Sequence, residues 1–171
     1  MKRVIFIYGR FVKIISVILV AVCMAVIFWF SAQPAAESSQ ISGGLTDEVI
    51  AAFLPGYKTW PSNIQQGVFH MVEIVVRKSA HFGIYLILGM LCMFSVSRFA
   101  KRRWIQLVVA FGYSICYAIS DEIHQLFVPG RSCEFRDICI DTLGAATGIL
   151  LLWLALALIR KFYNRHTQKD M

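Results

Sequence analysis

The chain has 171 residues, of which 58% are hydrophobic and 16% charged, with a net charge of +7. Soluble domains are closer to half apolar and a quarter charged, so a free-standing soluble enzyme is excluded. The basic excess does not mark a nucleic-acid partner either, because it gathers in three places: Lys2, Arg3, Arg10 and Lys13; Arg98, Lys101, Arg102 and Arg103; and Arg160, Lys161, Arg165 and Lys169, with Asp170 the one acid among them.

Between these clusters lie four apolar stretches, at about 12–31, 79–97, 104–121 and 138–159. Each is near the ~20 residues of helix that cross a bilayer. The positive-inside rule assigns basic segments to the cytoplasm. The expected fold is therefore all-α: one domain over residues 1–171, four transmembrane helices and both termini cytoplasmic. The first span has a basic start, but its apolar run exceeds the 7–15 residues of a signal peptide, so it reads as a retained anchor that Pro34 ends.

Residues 32–78 form the long extracytoplasmic connection. Within it Thr46 heads "TDEVIAAF", a short helix with acids in its first turn, stopped by "LPG". "WPSNIQQ" starts another, with Ser62 and Gln65 spaced as a capping box. The following "GVFHMVEIVV" is apolar nearly all round, and either lies at the interface or extends the second span upward through Lys78. Tyr57 and Trp60 suit headgroup level.

In this topology "SAQP", "RKSAHF", "SDEIHQ" and "RDICID" all fall at the outer ends of their spans. At about 100° per residue, Lys78, His81 and Tyr85 share one arc of the second span. Asp121 and Gln125 share a face of the third, with His124 beside them. Asp137, Asp141, Gly144 and Gly148 form one stripe on the fourth, and the G-x-x-x-G pair permits close approach of a neighbouring helix. Ionisable groups inside membrane spans mark a functional site by default. His81, Asp121, Glu122 and Asp137 are candidates for proton transfer. Lys78, Arg131 and Arg136 could hold a phosphate or carboxylate. His81 could equally be a packing histidine, Asp121 or Glu122 could pair with Lys78 or Arg131 to hold the bundle, and Arg131 could brace its turn. Arg77 reads as snorkelling to headgroups; Glu134, Arg136, His70 and His166 read as solvated. The five cysteines have no metal or redox spacing, and Cys133 and Cys139 read as unpaired thiols that could pair in an oxidising compartment. No zinc-ligand spacing, phosphate loop or nucleotide motif is present, so no cofactor or metal is expected.

At these residues the sequence resembles the VanZ-like family, small membrane proteins named for an accessory determinant of teicoplanin resistance. The resemblance runs through "FWFSAQPAAESSQIS", "RKSAHFGIYLILG" and "SDEIHQLFVPGRSCEFRDICIDTLGAATG", and rests on Ser31, Gln33, Lys78, His81, Phe82, Tyr85, Asp121, Glu122, Gln125, Pro129, Arg131, Asp137, Gly144 and Gly148. Asp141 departs from the pattern, which usually has asparagine there. The resemblance implies a cell-envelope protein of the bacterial cytoplasmic membrane, linked to lower susceptibility to lipid-tailed glycopeptides. Three readings follow. The first is an outer-leaflet pocket of Lys78, Tyr85, Gln125, Arg131, Asp137 and Gln33, with Glu122, His81 and Asp121, that binds or alters a lipid-like or lipid-linked amphiphile. The second is an intramembrane hydrolase or transferase acting on a lipid phosphate, with Glu122 or His81 as base. The third is a structural or partner-binding subunit whose charges lock the bundle.

Overall fold

A computed structural model describes the backbone of residues 2–167 and the side-chain surroundings of residues 9–161. The described residues form five α-helices and no strand: α1 (Lys2–Ser31), α2 (Ala35–Phe53), α3 (Ser62–Phe99), α4 (Arg103–Gln125) and α5 (Phe135–Thr167), with a single 3-10 turn at Tyr57–Thr59. Four helices are long and apolar enough to cross a membrane, within Gly9–Ser31, Ser62–Phe99, Arg103–Gln125 and Phe135–Lys161. Large apolar side chains such as Val22, Phe28, Val108, Leu143 and Leu154 stand exposed along them, as hydrocarbon permits and water does not. The chain is an integral membrane protein, as its composition implies.

The four crossings bring the start of α1, the α3–α4 turn and the end of α5 to one end of the bundle. Lys13 lies over the Phe99 ring there, and the Ser16 hydroxyl meets that of Ser95 at 3.3 Å. We call this the basic end. The opposite, polar end carries α2, the first turns of α3 and the α4–α5 connection.

The core is a thin apolar column of Val20, Cys23, Ile27, Leu88, Cys92, Met93, Ala110, Ala118 and Ile149. Its tightest seam is α3 against α5. A Cβ placed on Gly144 would collide with the Phe82 carbonyl oxygen, one on Gly148 with that of Leu86, and one on Gly89 with that of Ala145. The partner of the G-x-x-x-G stripe is thus α3, which contributes a glycine of its own. Direct backbone contact is how helices associate where lipid removes the hydrophobic drive.

Two local expectations are corrected. Thr46 does not head a helix: α2 already starts at Ala35, and the Thr46 hydroxyl donates to the Ser42 carbonyl one turn back. The reason is tertiary. Ser42, Thr46 and Ile50 form a buried stripe, Gly43 sits against Phe69 of α3, and Ser42 donates to Glu73 at 3.0 Å. Ser62 and Gln65 form no capping box, because Pro61 occupies the N-cap position. Gln65 instead donates to the carbonyls of Trp60 (2.8 Å) and Lys58 (3.2 Å). Of the two positions expected for "GVFHMVEIVV", the continuous one is found: α3 runs unbroken for 38 residues, about 57 Å at 1.5 Å per residue.

Candidate functional site

The polar end is assembled by the α4–α5 connection. "VPGR" makes a β-turn in which the Arg131 N–H donates to the Val128 carbonyl at 3.1 Å, with Gly130 at φ 76°. Proline then glycine at the two central positions suits such a turn. The turn packs against the start of α2, where the Ala35 N–H donates to the Pro129 carbonyl at 3.2 Å. It also directs Arg131 back across the end of α1. There Nε donates to the Gln33 carbonyl (3.0 Å) and Nη2 to the Phe30 carbonyl (3.2 Å), bracing the backbone where α1 ends. Burial, with the nearby Arg77 charge adding to it, lowers the Arg131 pKa from its ordinary value. Like any arginine, it stays protonated.

The expected arcs do face one another. Lys78 on α3 hydrogen-bonds and ion-pairs with Asp137 on α5, and its ammonium lies 3.8 Å from Glu134 Oε2. One turn deeper His81 Nδ1 is 3.6 Å from Oδ1 of the fully buried Asp141. A further turn down, the Tyr85 hydroxyl donates to Asp121 Oδ2 at 3.2 Å, and Ser31 donates to the same oxygen at 2.9 Å. Asp121 thereby ties α1, α3 and α4 together. Glu122, with no exposed surface, accepts the Glu134 N–H on Oε2 at 3.0 Å and so fixes the entry into α5. Oδ1 of Asp121, Oε1 of Glu122, both Asp141 oxygens and Gln125 Nε2 are buried without a hydrogen-bond partner. Among the described residues, no three His, Cys, Asp or Glu side chains are grouped to hold a metal.

Two cavities adjoin this ladder. An apolar crevice of about 280 Å³ lies between α1, α2 and α3, walled by Ile27, Phe30, Ile41, Leu45, Val76 and Ile84. A polar pocket of about 190 Å³ is lined by Lys78, Gln125, Ser132, Glu134 and Asp137. Ser38, Arg77, His81 and Arg131 border both. Gln33 and Ser31 line the crevice.

The sequence-derived candidates therefore divide. His81, Lys78, Gln125, Arg131, Asp137 and Gln33 reach a cavity wall, whereas Asp121, Glu122 and Tyr85 border neither and lie behind it. His124 is apart from the site, stacked on Phe28 of α1 at 4.4 Å. Glu134 and Arg136, read as solvated, pair with each other at 3.2 Å, and Glu134 lines the polar pocket. The His166 side chain lies outside the described residues. Cys133 and Cys139 are free thiols. Three site residues escaped the sequence: Glu134, Ser38 and Arg77. Arg77 sits four residues before His81, which gives helical neighbours one face. Ser38, Ile41, Ser42 and Leu45 have amphipathic helix spacing, masked by the polar composition of "AAESSQ".

The motifs now have a common geometry, and the sequence matches the VanZ/LLP1 family model over residues 16–157. The chain belongs to the VanZ/LLP1 family. That match takes in the second and third membrane-crossing helices whole, most of the first and fourth, and every lining residue named above. No curated protein and no solved structure matches the chain.

Proposed function

We propose that this VanZ/LLP1 protein serves the cell envelope from the bacterial cytoplasmic membrane, with its basic end cytoplasmic. Its polar end faces outward, binds or alters a lipid-like or lipid-linked amphiphile, and lowers susceptibility to teicoplanin-type lipoglycopeptides. One observation carries the reading: an apolar crevice and a polar pocket share Ser38, Arg77, His81 and Arg131 as a common border. A molecule with one wet and one greasy end meets a matching surface on each side of that border. Ligand sites typically combine an apolar wall with a few convergent polar groups.

The geometry favours binding over group transfer. A general base has to reach the proton it removes, yet Asp121 and Glu122 border neither cavity, and each has a packing role through Ser31 and Tyr85 or through the Glu134 N–H. Of the proton-transfer candidates, His81 and Asp137 reach the wall, and Asp137 is engaged with Lys78.

The test uses a host lacking the protein, complemented with wild type, His81→Ala, Arg131→Ala and Leu45→Trp at matched membrane abundance. Wild type is expected to protect against teicoplanin and not vancomycin, and the three variants to lose protection. Equal protection by all variants would show that the border residues are structural. Absence of protection by wild type would remove glycopeptides from the reading.

A further inference from the structure

We infer that Arg77, acting with Arg131, recognises an anionic, phosphate-type headgroup, so that the amphiphile is an acidic one whose chain occupies the crevice. The inference rests on the amphiphile reading above and adds the charge and chemistry of the ligand.

Charge accounting at the polar end points to Arg77. Lys78 is neutralised by Asp137, and Glu134 lies between Lys78 and Arg136. Asp141 faces His81. Asp121 accepts from Ser31 and Tyr85, and Glu122 from a backbone N–H. Among the described residues no carboxylate lies within ion-pairing distance of Arg77. Its charge stands close enough to Arg131 to oppose that residue's protonated form. Asp121, Glu122 and Asp137 favour that protonated form in turn, whereas Arg77 borders both cavities with no ion-pair partner among the described residues, a place an anion would fill.

The other donors converge on the same place. Gln125 is 4% exposed and lines the polar pocket, and its Nε2 has no partner. Ser38 contributes a hydroxyl from α2. A guanidinium offers a planar fork that suits phosphate or carboxylate oxygens. Arg77 can present such a fork from α3, while Arg131, whose Nε and Nη2 already serve the Gln33 and Phe30 carbonyls, adds positive charge from the α4–α5 turn. Donors and charge from separate elements suit a headgroup with several oxygens. The two carboxylates lining the polar pocket, Glu134 and Asp137, already have cations. Arg131 also lies in the field of Asp121, Glu122 and Asp137, which leaves Arg77 as the pocket-border cation without an ion-pair partner among the described residues.

The experiment uses the full chain purified in an uncharged maltoside detergent, with retained lipid measured by native mass spectrometry. Dioleoyl phosphatidic acid and dioleoylglycerol are the probes, because they share tails and differ in the phosphate. Inorganic phosphate is added as a competitor. Wild type is expected to hold the phosphatidic acid at least about tenfold more tightly, the scale of one charged hydrogen bond or more. Arg77→Gln should bring it to the diacylglycerol level, and Arg77→Lys should keep part of the preference. Leu45→Trp should weaken both lipids by filling the crevice. Thermal unfolding of each variant confirms that the fold is intact.

Equal retention of both lipids, with both still weakened by Leu45→Trp, overturns the headgroup inference and leaves the amphiphile reading standing. Lipid retention indifferent to Leu45→Trp overturns the amphiphile reading itself. Displacement of phosphatidic acid by free phosphate at matched concentrations would make the site one for a soluble anion, and also overturns the inference.

Discussion

The α3–α5 seam has two halves built from the same pair of helices, and they solve opposite problems. In the lower half Gly144 and Gly148 press on the backbone of Phe82 and Leu86, with Gly89 returning the contact against Ala145. In the upper half, within one turn, the pairs become His81–Asp141 and Lys78–Asp137, and the helices make room for charged side chains and a pocket. The lower half tolerates no atom more. The upper half leaves several buried polar atoms without partners. Glycine contact fixes the register of the two helices, and that register sets which charge meets which. The difference teaches that the site's geometry is imposed from below.

Breaking the lower half should therefore do the most damage. Gly148→Val is expected to destabilise the protein by about 3 kcal/mol, the scale of forced overpacking, read as a lower unfolding temperature in detergent. Gly112→Ala on α4, where a Cβ would meet nothing within 4 Å, is the matched control and should be neutral or slightly stabilising. An equal effect of the two would mean that backbone contact does not hold the seam.

Next in size is Glu122. Glu122→Ala removes the acceptor of the Glu134 N–H and should lower stability by about 1–2 kcal/mol. Glu122→Gln keeps an acceptor oxygen and should recover most of that loss, together with teicoplanin protection. Stable Glu122→Gln protein that fails to protect would revive a catalytic role.

The Lys78–Asp137 pair comes third. Both side chains retain some exposure, 18% and 15%, so solvent screens them. A double-mutant cycle with Lys78→Ala and Asp137→Ala should give a coupling of about 1 kcal/mol. Zero coupling would remove the pair from the account of the upper half. Smallest of all, Arg77→Gln should change stability by less than about 0.5 kcal/mol, since no carboxylate pairs with it among the described residues. A larger loss would mean that Arg77 belongs to the scaffold and not to the pocket.

Much of this was legible from residue spacing. The four crossings, the facing arcs of Lys78, His81 and Tyr85, and the Asp137–Asp141–Gly144–Gly148 stripe all follow from a helical repeat applied to an apolar pattern. What spacing could not separate was front from back. Asp121 and Glu122 look like the most reactive groups in the chain because they are charged and intramembrane, yet neighbouring residues cover them. Arg77 looks incidental because it precedes a lysine, yet it borders both cavities. Composition misled at α2, where the serines and paired glycines of "AAESSQISGGL" suggest a loop. That helix exists because α3 offers a surface to pack on, and no local propensity carries that information.

The unbroken length of α3 has a mechanical consequence. Its first turns, its pocket residues Arg77, Lys78 and His81, and its glycine-clamped lower half form one rod. A rod gripped at its foot does not swing at its head without dragging the grip along. The jointed wall of the crevice is α2, which lies between Pro34 and the Pro55–Gly56 bend, whereas α1 is tied at its end by Ser31 to Asp121 and by its carbonyls to Arg131. The pocket thus has a continuous side, α3, and a jointed one, α2, and Arg77 stands on the continuous side.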